Sequence, residues 1–135
     1  MAADTLSDIR SVDPTESMKV LIADDHPRMR EHLAEMVEPL GAVVVQAADG
    51  VEAVDAFRRV GPDWTCLDIE MPRMGGIEAA MAIRRISGQA RIAIVSAHDT
   101  PVFREAAARI GSHVFVSKSE LHRLVECLRS SDPIR

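Results

Sequence analysis

Cysteine is scarce: only Cys66 and Cys127 occur in 135 residues, and no Cys/His group has the spacing of a zinc site. A disulfide scaffold and a zinc-built fold are therefore excluded. Each thiol lies in an apolar stretch and is expected to be buried and free, as in a reducing compartment. No apolar run approaches the roughly 18 residues a membrane-spanning helix needs. The opening Met1–Met18 is polar and acidic, unlike a signal peptide. A cytoplasmic protein without membrane contact is the resulting expectation. There is also no basic stripe, and the net charge of −5 argues against direct nucleic-acid binding. Arg58–Arg59 and Arg84–Arg85 are the only adjacent basic pairs. Both fall near expected helix ends, where cations favour the last carbonyls. Neither an internal repeat nor a low-complexity tract is present.

What is there has the balance of one globular domain, 47% hydrophobic and 27% charged. Residues 1–17 read as a flexible lead-in, 18–130 as the folded domain and 131–135 as a tail. Five short apolar runs, Lys19–Ala23, Val43–Ala47, Trp64–Leu67, Arg91–Val95 and Val114–Val116, suit strands buried on both faces. Helical spacing lies between them. It joins Met29, Leu33, Met36, Val37 and Leu40, then Phe103, Ala106, Ala107 and Ile110, then Leu121, Leu124, Val125 and Leu128. Asp49 with Glu52 predicts a capping box, and Thr100–Pro101 an N-cap with a first-turn proline. Gly111 is placed to close a helix, and Ser119 to cap the last one. Strict strand–helix alternation implies an α/β, doubly wound parallel sheet of five strands with five helices.

In such a sheet ligands sit beyond the carboxyl ends of the strands. The first strand ends in Asp24–Asp25, the third in Asp68, the fourth in Ser96 and the fifth in Lys118. Taken singly each is an ordinary turn or solvated residue, but one crevice would gather them all. Carboxylates about 4 Å apart repel by roughly 4 kcal/mol at an effective dielectric near 20. A hard divalent cation relieves that repulsion, and Mg²⁺ suits an all-oxygen set. A cation with Lys118 and Ser96 beside it makes a receptor for a phosphoryl group, which one carboxylate can attack directly.

At this point a family resemblance enters. Val20–Pro27, containing Asp24–Asp25–His26, resembles the acidic opening of response-regulator receiver domains. Leu67–Gly76, with Asp68, Met71, Pro72 and Gly75–Gly76, is similar to their phosphoacceptor loop. Val95–Ser96–Ala97 and Phe115–Val116–Ser117–Lys118 match the remaining two signatures in order. The resemblance covers Met18 to about Ser130. It implies a flavodoxin-like sheet in the order 2-1-3-4-5, known for the chemotaxis regulator. It also implies Asp68 as phosphoacceptor, Asp25 as a direct Mg²⁺ ligand, Asp24 as a largely water-mediated one, and the Glu70 backbone carbonyl as the third protein ligand. Ser96 supplies the hydroxyl, Lys118 the cation and Phe115 the switch aromatic. A sensor histidine kinase or histidine phosphotransfer protein would be the donor. A protein target would read the face of helix 4, strand 5 and helix 5, and a phosphorylation-dependent homodimer is left open. On phosphorylation Ser96 would move toward the phosphoryl group and Phe115 would swing into the vacated space.

Several positions depart from the family pattern or have two readings. Ser119 follows Lys118 where many receivers have proline, so no cis peptide is expected there. Phe115 lacks a tyrosine hydroxyl. Glu70 and His98, two residues past Asp68 and Ser96, either flank the path of attacking water or are simply solvated. Met71 could be packing alone, Gly75–Gly76 suggests a tight turn, and Trp64 reads as core or edge packing. The Asp-Asp-His-Pro opening resembles receivers joined to a LuxR-type helix-turn-helix, so a fragment of such a regulator is an alternative. A metal-dependent phosphohydrolase with an Asp nucleophile is a more distant one, since haloacid-dehalogenase enzymes want Asp-x-Asp where this chain has Asp24–Asp25. His98–Asp99 has no accompanying ligands for an HD-type metal site. A flavin module would need a phosphate-cradling loop after the first strand, and none is there.

Overall fold

A computed structural model describes residues 17–130, so the expected tail and all but Ser17 of the expected lead-in lie outside the described residues. Five strands, β1 (Lys19–Ala23), β2 (Val43–Ala47), β3 (Trp64–Asp68), β4 (Ile92–Ser96) and β5 (Val114–Ser117), form one parallel sheet in the order 2-1-3-4-5. The helices are α1 (Pro27–Val37), α2 (Gly50–Val60), α3 (Gly76–Ile86), α4 (Pro101–Arg109) and α5 (His122–Ser130). The flavodoxin-like arrangement expected from the sequence is the one observed.

Each strand sends alternate residues to opposite faces, and both faces are buried in β1, β3 and β4; β2, expected to be buried on both faces, ends the sheet and leaves Val43 and Gln46 exposed. Leu21, Ala23, Leu67, Ile92 and Ile94 join one core with Phe57 of α2, Ala79 and Ile83 of α3, and Ala107 of α4. Val20, Ile22, Cys66, Val95 and Val116 join a second with Leu33 and Val37 of α1 and Leu124 and Leu128 of α5. The inner strands β1, β3 and β4 are nearly continuously apolar because neither side meets water. Trp64 belongs to the second core, 1% exposed and edge-on to the His113 ring at 5.5 Å. Both cysteines are free, but only Cys66 is fully buried, and Cys127 is half-exposed at the margin. Burial first, and the neighbouring Cys127 second, push the Cys66 thiol up to about 12, so it stays protonated.

Element boundaries correct several expectations. Leu40 is not part of α1, because Pro39 lies in a separate 3₁₀ turn, Glu38–Leu40. β4 starts one residue later than expected and extends through Ser96. Ser119 caps nothing: it sits within the 3₁₀ turn Lys118–Glu120, itself capped by Ser117, whose Oγ accepts from Ser119 N, and α5 begins only at His122. The expected capping box is shifted at its return bond. Asp49 Oδ1 accepts from Glu52 N at 2.8 Å, yet the Glu52 carboxylate takes the amide of Ala48. Thr100 caps α4 through Phe103 N as expected, and Gly111 follows that helix at φ +72°. The peptide bond before Ser119 is trans, as are all the described ones.

The arginine pairs do sit in the last turns of α2 and α3. Arg84 does more than interact with its own helix. Its guanidinium donates to the carbonyls of Gly88 and Ala90, leading into β4, and of Ile110 and Gly111, leading into β5. One side chain thereby ties two connections together at the amino end of the sheet.

Candidate functional site

At the carboxyl end of the sheet, β1, β3 and β5 bring Asp24, Asp68 and Lys118 into contact. Lys118 Nζ lies 2.8 Å from Asp24 Oδ2 and 3.4 Å from Asp68 Oδ2. Asp24 and Asp68 are buried, at 1% and 4% exposure, although each simply follows an apolar run. Burial first, and repulsion from Asp24 second, push the Asp68 carboxyl up to about 6, against the opposing pull of Lys118. Burial alone would push the Lys118 ammonium down, but the two carboxylates outweigh it and hold its pKa above the ordinary lysine value.

Asp25 is partly exposed, but its Oδ1 is buried and makes no hydrogen bond. The His26 Nδ1 lies 3.2 Å from that oxygen, and the same nitrogen is 3.3 Å from Asp24 Oδ1. Asp24 Oδ1 also accepts from the His26 amide at 2.9 Å. One ligand atom from each of Asp24, Asp25, His26 and Asp68 lies within 4.8 Å of the others. Three carboxylates with an orphaned buried oxygen fit a hard cation such as Mg²⁺. In the sequence His26 figures only as part of a motif. Its ring sits at the mouth of the acidic cluster, and its place directly after Asp24–Asp25 was the available signal.

Ser96 is fully buried at the end of β4, one residue beyond Val95, which pairs with Asp68 across the sheet. Its hydroxyl is engaged locally, donating to His98 O at 2.8 Å and accepting from His98 N at 3.0 Å. Phe115 is 8% exposed and packed in the core beneath the Arg104 guanidinium, 4.7 Å from the ring centroid. Arg104, which also pairs with Asp99, covers the Phe115 ring, a contact that no sequence pattern marks.

Glu70 and His98 pair directly, with Nδ1 to Oε1 at 2.8 Å, and both are exposed. The pair joins the loop after β3 to the loop after β4. The loop from Ile69 to Gly76 is held in other ways too. Gly75–Gly76 serves close approach and not turn freedom, since a Cβ on Gly76 would overlap the Asp68 carbonyl. The left-handed residue of the loop is Arg73, at φ +66°. Met71 packs against the core, as its plainer reading held.

The comparisons with known proteins agree with this geometry. The family described as the response regulator receiver domain matches residues 20–129. The chain is 35% identical over 112 residues to the chemotaxis protein CheY of Thermotoga maritima, covering 82% of this chain and 93% of that one. It is 30% identical over 126 residues to the probable transcriptional regulatory protein NarL of Mycobacterium tuberculosis, covering 88% of this chain but 58% of the relative. The chain thus spans little more than half the length of that regulator. Among solved structures, a two-component response regulator of the LuxR family from Aurantimonas aligns with TM-score 0.77 at 34% identity, over 85% of this chain and 86% of that one. The receiver domain of Mycobacterium tuberculosis NarL aligns with TM-score 0.76 at 29% identity, over 86% and 99%. The chain belongs to the response-regulator receiver-domain family. That is a family of signalling domains, and no helix among the described residues is long and apolar enough to cross a membrane.

Proposed function

We propose that this receiver domain takes a phosphoryl group onto Asp68 from a phosphohistidine on a sensor kinase or phosphotransfer protein, in a Mg²⁺-dependent reaction. The observation that carries the reading is Lys118 bridging two buried carboxylates beside the orphaned oxygen of Asp25. Asp25, Asp68 and the Glu70 backbone carbonyl would hold Mg²⁺, with Asp24 acting largely through water. When bound, the ion neutralises charge on the transferring oxygens and relieves repulsion among the carboxylates.

Asp68 is buried but mostly ionised near pH 7, because its pKa of about 6 lies below that pH. One of its oxygens attacks phosphorus, the P–N bond breaks, and its electron pair returns to the donor imidazole. The product is an acyl phosphate, and water later releases inorganic phosphate from it. Lys118 stabilises the charge carried by the transferring group, and the Ser96 hydroxyl leaves the His98 backbone to donate to a phosphoryl oxygen. The new charge, about −1.5 to −2, biases the loop after β4. Phe115 then repacks from its place under Arg104, and a protein target reads the changed face of α4, β5 and α5. A phosphorylation-dependent homodimer through that face is one form such a partner takes.

A second reading concerns the setting of the domain and leaves its chemistry unchanged. The likeness to NarL favours a receiver that belongs to a longer transcriptional regulator, and the length of the complete gene decides it.

Incubation with Mg²⁺ and a small phosphodonor, followed by intact mass, tests the chemistry. One phosphoryl group per chain is expected, and none on Asp68→Asn. Undiminished incorporation in that variant removes Asp68 from the role. Multiple turnover of small phosphate esters would instead favour a phosphohydrolase.

A further inference from the structure

Asp49, expected from the sequence only as a helix cap, and Gly50 beside it touch the loop that follows Asp68. Arg73 Nε donates to Asp49 Oδ2 at 2.7 Å, and Asp49 is itself buried, at 7% exposure. One residue along each segment, Gly50 N donates to Met74 O at 2.9 Å. A Cβ on Gly50 would overlap that same carbonyl, so the two backbones meet where only glycine fits. Arg73 is the only non-glycine residue at positive φ among the described residues. An L side chain disfavours that conformation, and something must hold it there. The ion pair is placed to do so, with one Asp49 oxygen facing Arg73 while the other caps α2 through Glu52 N.

The consequence reaches the acidic cluster through the backbone. Gly76 N donates to Ile69 O at 2.9 Å and closes the loop at its base. Within that loop lies Glu70, two residues past Asp68, whose backbone amide favours the ionised Asp68 carboxylate. We infer that Arg73 is a positioning residue: through Asp49 it clamps the loop after β3 against α2 and so fixes the direction of the Glu70 carbonyl toward the cation. This rests on the proposed Mg²⁺ site and adds to it a support from outside the ligand set. Supports of this kind typically alter metal affinity by roughly 10–100-fold when removed.

The test titrates the full chain with Mg²⁺ by calorimetry and follows amide hydrogen exchange of Gly50 without metal. Arg73→Ala and Asp49→Asn are each expected to weaken Mg²⁺ binding by roughly tenfold and to speed Gly50 exchange. Asn keeps the Oδ1 that caps α2, so a loss there belongs to the ion pair and not to a melted helix. The double variant should be no worse than Arg73→Ala, and Arg73→Lys should recover part of the affinity. At saturating Mg²⁺ the variants should still take one phosphoryl group.

Arg73→Gly separates backbone strain from the ion pair, because glycine accepts the positive φ without the contact. If it binds Mg²⁺ as wild type does while Arg73→Ala does not, strain governs and the proposal falls. Faster Gly50 exchange with unchanged Mg²⁺ affinity also overturns it, since the clamp would then not reach the cluster. Failure of the wild-type chain to bind Mg²⁺ would sink the underlying site, and this inference with it.

Discussion

The two ends of the sheet solve opposite problems. At the amino end the Arg84 guanidinium meets four backbone carbonyls and no carboxylate, so groups that two connections leave open are satisfied by one cation. At the carboxyl end one ammonium bridges two of three clustered carboxylates, Asp25 Oδ1 accepts no hydrogen bond and lies beside the His26 ring, and burial holds Asp68 well above the usual carboxylate range. The first arrangement stabilises the fold. The second costs stability in the absence of a cation and makes sense as a receptor for positive charge followed by a phosphoryl group.

That contrast breaks most visibly at Arg84. Arg84→Ala should lower unfolding free energy by roughly 3–5 kcal/mol, because several carbonyls lose a charged donor at once. Chemical denaturation checks this, and Arg84→Lys should recover less than half, as one ammonium cannot reach all four acceptors.

Asp68→Asn should act with the opposite sign. The folded-state pKa of Asp68, about 6, lies above its unfolded value. Between the two values the native state holds an extra proton, so this group's favourable contribution is complete at low pH and is lost as pH rises through 6. The metal-free variant should therefore match wild type near pH 4 and exceed it by at most about 3 kcal/mol at pH 8. Added Mg²⁺ should shrink that gap by stabilising the wild type. A gap that fails to grow with pH would show that the carboxyl end is not strained by Asp68.

The smallest effect is expected at the exposed pair. Glu70→Ala or His98→Ala should change the phosphoryl lifetime by roughly threefold, about 0.7 kcal/mol in barrier, with less change in phosphorylation rate. Decay of the phosphorylated chain followed by intact mass measures it. Equal lifetimes in both variants would leave the pair a solvated surface contact.

What could be read ahead of the structure followed from short-range physics. Apolar runs of strand length separated by helical spacing implied a sheet covered on both faces, and alternation implied a parallel one. Asp24, Asp25, Asp68 and Lys118 lie just past such runs, where a parallel sheet gathers its ligands. Errors came where a local preference met a distant neighbour. Ser119 is a good cap residue, but Lys118 must first turn back toward Asp24 and Asp68, and the 3₁₀ turn there delays α5. Gly75–Gly76 suggests a tight turn, whereas the Asp68 carbonyl is what excludes a side chain at Gly76.

Sequence alone thus determined the order of elements, the two-faced core and the set of groups at the carboxyl rim, because periodicity and strand ends are properties of neighbouring residues. Tertiary structure decided the rest: Arg104 over Phe115, His98 on Glu70 across 28 positions, and Arg73 on Asp49 across 24. Those pairs join loops whose separation is set only when the sheet closes, and a long charged side chain on the surface can reach many partners until the backbone leaves it one.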